Sequence, residues 1–204
     1  MEIAVMQITR IAGGVLNANT YVISANNERD VLAIDPTDAT ALETYLESNG
    51  LNLCAVLLTH GHFDHTCGLQ ELLARRSVAV YLHPGDAEML SDPMCNAFHL
   101  MFPGMPYMPI ESYIPIENDQ ELMLSGLTVK VISTPGHSKG SVCYLIEDAL
   151  FSGDTLFQSG FGRTDLWGGD QREIIKSLRH LRTLPADTVV YPGHGGQTTI
   201  GAEL

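Results

Sequence analysis

Three histidines and one aspartate fall within six residues, His60-Gly61-His62-Phe63-Asp64-His65. Neutral imidazole and carboxylate are ligands that suit zinc, iron and manganese. Structural zinc sites are rich in cysteine, and this cluster has none. A single histidine at a strand end is usually packed or solvated, but four ligand-type residues in six are poorly explained that way. The run Cys54-Ala55-Val56-Leu57-Leu58 before the cluster reads as a buried strand. Leu69, Leu72 and Leu73 after it have helical spacing over residues 66–76. The cluster therefore sits on a turn between a strand end and a helix start. An extended turn aims alternate residues the same way, so His60 and His62 can share one ion. Asp64 and His65 then face a second position.

Other ligand types recur in the same setting. His137 follows Thr134-Pro135-Gly136, Asp154 follows Ser152-Gly153, and His194 follows Tyr191-Pro192-Gly193. Each lies just beyond an apolar run, at a Gly or Pro turn. A sheet whose strand ends converge on one edge would collect them all. Seven ligands suit two ions with one bridging carboxylate, and two ions ~3.5–4 Å apart can hold a hydroxide against a carbonyl. Spacing alone does not say which ligand serves which ion.

The elements that must position these residues alternate. Strands are expected at 3–8, 20–24, 31–34, 54–58, 78–82, 121–124, 127–132, 141–146, 149–152 and finally 188–191. Pro36 stops the third strand. Asp38 can cap a helix with Leu42, Tyr45 and Leu46 on its apolar face and Gly50 at its end. A short helix is expected at 85–91. The last helix starts at Asp170, with Glu173 set to complete a capping box and Ile174, Ile175, Leu178 and Leu181 buried. Strand–helix alternation gives an α/β class with helices outside the sheets. Residues 92–118 break the rhythm with five prolines and Met94, Met101, Met105 and Met108. Such a segment is a lid over a pocket or a packed surface excursion, and a methionine-rich surface also suits partner contacts.

The 204 residues fit one domain, 1–204, with 45% apolar and 17% charged residues, ordinary for a globular chain. The formal net charge of -13 leaves no footprint for nucleic acid or an anionic membrane. No long uncharged apolar run or secretory start is seen. Cys54, Cys67, Cys95 and Cys143 form no C-x-x-C pair. Reduced thiols in a cytoplasmic protein are the simplest account. Cys67, two residues after His65, reads as a small buried residue.

His60-Gly61-His62-Phe63-Asp64-His65 resembles the H-x-H-x-D-H signature of the metallo-β-lactamase superfamily. Thr134-Pro135-Gly136-His137, Ser152-Gly153-Asp154-Thr155 and Tyr191-Pro192-Gly193-His194 resemble its later motifs, in order. Asn19-Thr20-Tyr21-Val22-Ile23 and Ile34-Asp35-Pro36 resemble its early strands. The resemblance implies an αββα sandwich, two mixed sheets with helices outside and the metals at the edge between the sheets. It implies His60, His62 and His137 on one ion, Asp64, His65 and His194 on the other, and Asp154 bridging. Gly153-Asp154-Thr155-Leu156-Phe157 and Gly162-Arg163-Thr164-Asp165 resemble short, single-domain glyoxalase II (hydroxyacylglutathione hydrolase) proteins. This implies metal-dependent hydrolysis of a 2-hydroxyacyl thioester, with two divalent ions, zinc first and iron or manganese as alternatives. The nucleophile would be the hydroxide between the ions, with Asp64 and Asp154 as catalytic ligands.

Against two-domain glyoxalase II, the sequence read to Leu204 is expected to be without the helical C-terminal domain, so weak glutathione contacts are expected. A thiolate leaves readily, near pKa ~8.5, so no extra acid is needed. Arg163 is the candidate for a substrate carboxylate, with a surface salt bridge as the alternative. Lys139 is a weaker candidate beside a plain loop lysine. His83, His99 and His180 stand outside the motifs and read as structural or exposed. The expected partner is a small-molecule thioester, with no nucleic acid and no membrane. Persulfide dioxygenases look similar around Gly162-Arg163-Thr164-Asp165 and would use one iron on His60, His137 and Asp154. Lactonases and β-lactamases share the ligands and nothing further. A binding module with a relic site would be expected to lose some of the seven ligands.

Overall fold

In the computed structural model, which describes residues 6–25 and 28–204, neighbouring side chains of each central strand enter different cores. Ile23, Leu32, Ile34 and Leu57 meet Val129, Val131, Tyr144 and Phe151. Their neighbours Val22, Val31, Ala33 and Val56 point the other way, against Leu42, Leu46, Leu69 and Leu72. Ile132, Cys143, Leu150 and Val190 form a third core with Ile174, Leu178 and Leu181. Three cores separate four layers: helix, sheet, sheet, helix. This is the expected αββα sandwich.

The first sheet holds β1 (Met6–Ile11), β2 (Thr20–Ala25), β3 (Asp30–Ile34), β4 (Asn52–Leu57), β5 (Ala79–Leu82) and β6 (Ile114–Pro115), in that spatial order. β1 to β3 are antiparallel, and β3 to β6 are parallel. The second holds β7 (Glu121–Leu124), β8 (Leu127–Ser133), β9 (Val142–Ile146), β10 (Ala149–Gly153), β11 (Val189–Pro192) and β12 (Thr198–Thr199), again in chain order. In it, β10 and β11 pair in parallel and the other neighbours are antiparallel. Parallel neighbours need crossovers. These contain α1 (Ala39–Asn49), then α2 (Phe63–Thr66) with α3 (Leu69–Arg75), and in the second half α5 (Gln171–Leu181). α4 (Phe98–Met101) lies between β5 and β6, and α6 (Ile200–Glu203) follows β12.

Several local expectations change. The strand expected at 3–8 is β1 from Met6 onward, and residues 3–5 lie outside the described residues. The stretch 63–75 is two helices, and Asp64 and His65 sit on the first helical turn, not on an extended turn. Gly68 divides them, donating its N–H to Pro36 O at 3.0 Å, where a Cβ would press on the 36–39 backbone. Residues 84–90 form a 3-10 turn, with His83 Nδ1 accepting from Gly85 N. Asp170 caps α5 by accepting from the N–H groups of Arg172 and Glu173. The reciprocal half of the capping box is absent. Asp170 N donates to Gly136 O, and the Glu173 carboxylate pairs with Lys176. Ile175 is exposed, because α5 buries a narrower stripe than its sequence offers. Residues 188–191 are not the final strand, since β12 follows. Residues 92–118 carry α4 and β6 and bury Ile110 and Ile116. Cys67 is exposed, its thiol donating to Thr37 O. Among the described residues no helix is long and apolar enough to cross a membrane.

Candidate metal centre

The ends of β4, β8, β10 and β11 are each prolonged by a turn that bears candidate ligands, and β3 ends beside them at Asp35. Buried carboxylates and hydroxyls orient those turns. Asp35, just past β3, accepts from Thr59 N at 2.8 Å and Thr59 Oγ1 at 2.6 Å. Its Oδ2 also lies 2.9 Å from His65 Nδ1. Since Thr59 Oγ1 donates to Asp35, it accepts from His60 Nδ1 at 3.0 Å. His60 and His65 therefore carry their protons on Nδ1 and turn Nε2 towards the centre of the cluster. His137 Nδ1 donates to Arg163 O at 2.8 Å and likewise leaves Nε2 inward. The His194 turn is held from β2: Asn19 N donates to Gly193 O, and the Asn19 amide and Tyr21 hydroxyl donate to Pro192 O.

A further buried carboxylate ties the two sheets at this edge. Asp86 accepts from Gly61 N at 3.0 Å, between His60 and His62. It also accepts from Ser138 Oγ and Gly140 N, both at 2.6 Å, just past His137. The packing leaves no room at Gly193, where a Cβ would collide with Asp154 Oδ1 and His65 Cε1. The same holds at Gly162, whose Cβ would strike Asp154 O and His137 Nδ1.

The result is two groups of converging ligand atoms. One atom from each of His60, His62 and His137 lies within 4.8 Å of the others, and so do one each from Asp64, His65 and His194. Asp35, His60 and His65 also meet this criterion. Asp154 lies between the two main groups. Its Oδ2 is 3.6 Å from both His137 Nε2 and His194 Nε2, and its Oδ1 is 3.2 Å from His65 Nε2. His194 Nε2 lies 3.3 Å from Asp64 Oδ2.

The protonation states differ between the groups. Burial, followed by the neighbouring imidazoles, pushes His60 well below the ordinary histidine range. Burial and His137 take His62 down to about 3. Burial opposes charge on His65, but Asp154, Asp64 and Asp35 outweigh it and raise that imidazole well above its usual range. His194 is raised too, by its hydrogen bond to Asp64 and the charge of Asp154 acting against burial. Asp154 stays well below the carboxylate range because His65, His137 and His194 overcome its burial.

Buried polar atoms normally have partners. Here His60 Nε2, His62 Nε2 and Asp154 Oδ1 are buried without a hydrogen bond. His62 Nδ1 and His137 Nε2 approach to 2.8 Å. Such crowding of bare imidazole nitrogens and carboxylates is what a divalent cation satisfies, so the donor set fits metal.

The sequence profile described as "Metallo-beta-lactamase superfamily" matches residues 13–194. The chain belongs to the metallo-beta-lactamase superfamily. Among its relatives is the "Probable metallo-hydrolase YqgX" of Bacillus subtilis, 37% identical over 97% of this chain and 94% of that one. A hydroxyacylglutathione hydrolase of Shewanella baltica is 36% identical over 85% of this chain and 60% of its own length. The crystal structure of BLEG-1 B3 metallo-beta-lactamase has a TM-score of 0.89 at 38% identity, covering 96% of this chain and 95% of that one. TTHA1623 in a di-iron-bound form has a TM-score of 0.83 at 34% identity, covering 95% and 96%.

Beside the cluster this superfamily member has a cavity of about 360 Å³, reached by His62, Asp64, His137, Asp154 and His194. Arg163 also lines it. Its guanidinium makes a two-pronged contact with Asp165, at 2.6 and 2.8 Å, and holds that carboxyl down to about 2. The contribution of Arg163 to the cluster is its carbonyl oxygen. Lys139 is not among the lining residues, and its ammonium lies 4.4 Å from the centre of the Trp167 ring. His83 is half-buried, and His99 and His180 are exposed. Asp86 and the orienting role of Asp35 were not anticipated from sequence. Both are acidic residues that directly follow apolar strands or their turns, Val31-Leu32-Ala33-Ile34-Asp35 and Tyr81-Leu82-His83-Pro84-Gly85-Asp86, and that pattern is the signal that could have found them.

Proposed function

We propose that this chain is a binuclear-metal hydrolase that cleaves a 2-hydroxyacyl thioester of the S-lactoylglutathione type. The observation that carries the reading is the convergence of seven ligand side chains with buried, partnerless nitrogen and oxygen atoms. His60, His62 and His137 would hold one ion and Asp64, His65 and His194 the other, with Asp154 serving both. Zinc suits these donors, and so do iron and manganese. When bound, two divalent cations polarise a carbonyl and lower the pKa of water towards neutrality. Asp35, Thr59 and the Arg163 carbonyl keep the imidazoles in one tautomer, which favours ion capture. Asp64, at the cavity edge, has a second carboxylate oxygen that would be left to orient the proton of an attacking water. A thiolate leaving group, near pKa ~8.5, needs no protein acid. The proposed partner is thus a small-molecule thioester.

The test is elemental analysis followed by turnover of the metal-loaded protein. The panel holds S-lactoylglutathione, other acyl thioesters, a lactone, a β-lactam, and a persulfide with oxygen. The expected result is two ions per chain and a preference for thioesters. One ion per chain with oxygen uptake on the persulfide would replace this reading with the single-iron dioxygenase. Preference for the lactone or β-lactam would replace it with another hydrolase.

A further inference from the structure

The walls of the cavity away from the ligands are apolar: Leu16, Phe63, Leu100, Met101, Phe157 and Leu166. Leu16 and Met101 stand 51% and 46% exposed at its edge, and Leu100 is 64% exposed. These side chains are placed there by defined backbone. Leu16 is in the left-handed region, φ 54, inside a turn closed by Asn17 N to Gly14 O and Ala18 N to Val15 O. Ala97, at φ 68, starts the helix that carries Leu100 and Met101. Asn96 locks that start from beneath, donating to Met89 O, accepting from Phe98 N and taking Phe63 N on its carbonyl. Non-glycine residues persist in this region only where their surroundings over-determine them, and they gather at ligand sites. Arg163, the one lysine or arginine among the described residues that line the cavity, has its fork on Asp165.

We infer that the site selects substrates whose group beside the scissile carbonyl is uncharged and apolar, seated on Leu16, Leu100 and Met101. This rests on the thioester-hydrolase reading and departs from its S-lactoylglutathione type, favouring neutral alkyl or aryl thioesters over charged ones. Apolar burial tightens binding by about fourfold per methylene, which is ~0.8 kcal/mol. A charged tripeptide arm would find apolar walls and a net charge of -13 instead of a free cation.

The experiment measures binding and turnover separately on the metal-loaded protein. Non-hydrolysable thioether analogues are titrated in two series. In one, the acyl-side chain lengthens from three to eight carbons on N-acetylcysteamine. In the other, the acyl side stays fixed and the thiol is glutathione, N-acetylcysteamine or benzyl thiol. The two series show whether the apolar group sits on the acyl or the thiol side. The expected result is a Kd that falls two- to fourfold per methylene in at least one series, with the glutathione analogue the weakest binder. Met101→Gln and Leu100→Gln change exposed side chains, so folding should survive. They should flatten the series and narrow the gap between the neutral analogues and the glutathione analogue. A flat series, a glutathione analogue that binds tighter than the neutral ones, or variants without effect would overturn the inference. If S-lactoylglutathione is hydrolysed while both series are flat, only this inference falls. If neutral analogues bind as expected and no thioester is hydrolysed, only the thioesterase reading falls.

Discussion

Individual side chains around the cluster sort into two protonation classes, and this sorting has a measurable consequence. His60 and His62 are held neutral by burial and by neighbouring imidazoles, His65 and His137 foremost. His65 and His194 are raised by carboxylates and keep protons near neutral pH in the metal-free protein. Metal ligands must be deprotonated, so binding releases protons only where the free site holds them. On the proposed division, loading the position served by His65 and His194 should release more protons than loading the one served by His60 and His62. As pH falls, the ion served by His65 and His194 should be lost first, since the raised histidines compete for it with protons. Calorimetric titration in buffers of different ionisation heat checks this; equal release from both equivalents would contradict it. At this scale the seven candidate ligands that the structure brings together were legible in the sequence, because imidazoles and carboxylates beside apolar runs advertise themselves. Asp35 was read only as a strand end before Pro36, although it orients both Thr59 and His65. The Arg163 carbonyl was illegible in principle, since a backbone atom has no residue type and the sequence reading went to the guanidinium.

Between elements, the decisive part is the buried bridge from the turn after β5 to the loops after β4 and β8. Asp86 accepts from Gly61, Ser138 and Gly140, so one carboxylate sets the spacing of His60 and His62 against His137. Asp86→Asn keeps the shape but replaces one acceptor oxygen with a donor, setting N–H against N–H. An unsatisfied buried donor costs ~1–3 kcal/mol. Loss of such outer support costs ~10–100-fold in metal affinity. Both effects are expected, the first in the urea midpoint and the second in competition against a chelator. Lost stability with unchanged metal affinity would reduce Asp86 to a packing role. Strands and the two long helices were legible because their apolar periods are strong, as with Leu42 and Leu46 in α1. The break at Gly68 was not, since its cause is the backbone at Pro36, more than thirty positions away in sequence. The reciprocal cap at Glu173 failed because Gly136 O took the N–H of Asp170 first.

For the molecule as a whole, the net charge of -13 sets the long-range field, and Arg163, the one lysine or arginine among the described residues lining the cavity, is paired with Asp165. A dianionic thioester should therefore meet repulsion at low salt. Screening reaches ~10 Å at 0.1 M ionic strength. The kcat/KM for an anionic thioester should rise severalfold from ~0.01 M to ~0.1 M salt, while that for a neutral one stays level. A fall with salt for the anionic substrate would mean that a local cation attracts it. The layered architecture itself was legible from strand and helix order together with the ordered motifs. Residues 92–118 were harder to read, because prolines and methionines carry no period. The ligands also divide by sheet. His60, His62, Asp64 and His65 follow the first, and His137, Asp154 and His194 follow strands of the second. Each sheet is drawn from one uninterrupted stretch of chain. On the ribosome, then, the first four ligands emerge with their whole sheet while the other three are still to be made. At ~5–20 residues per second, the wait from His65 to His194 lasts ~6–26 seconds. Until His194 is made, the nascent chain offers only part of the proposed metal site. Assembly accordingly has a fixed sequence: the first sheet, then the second, and only then an ion that both can grip.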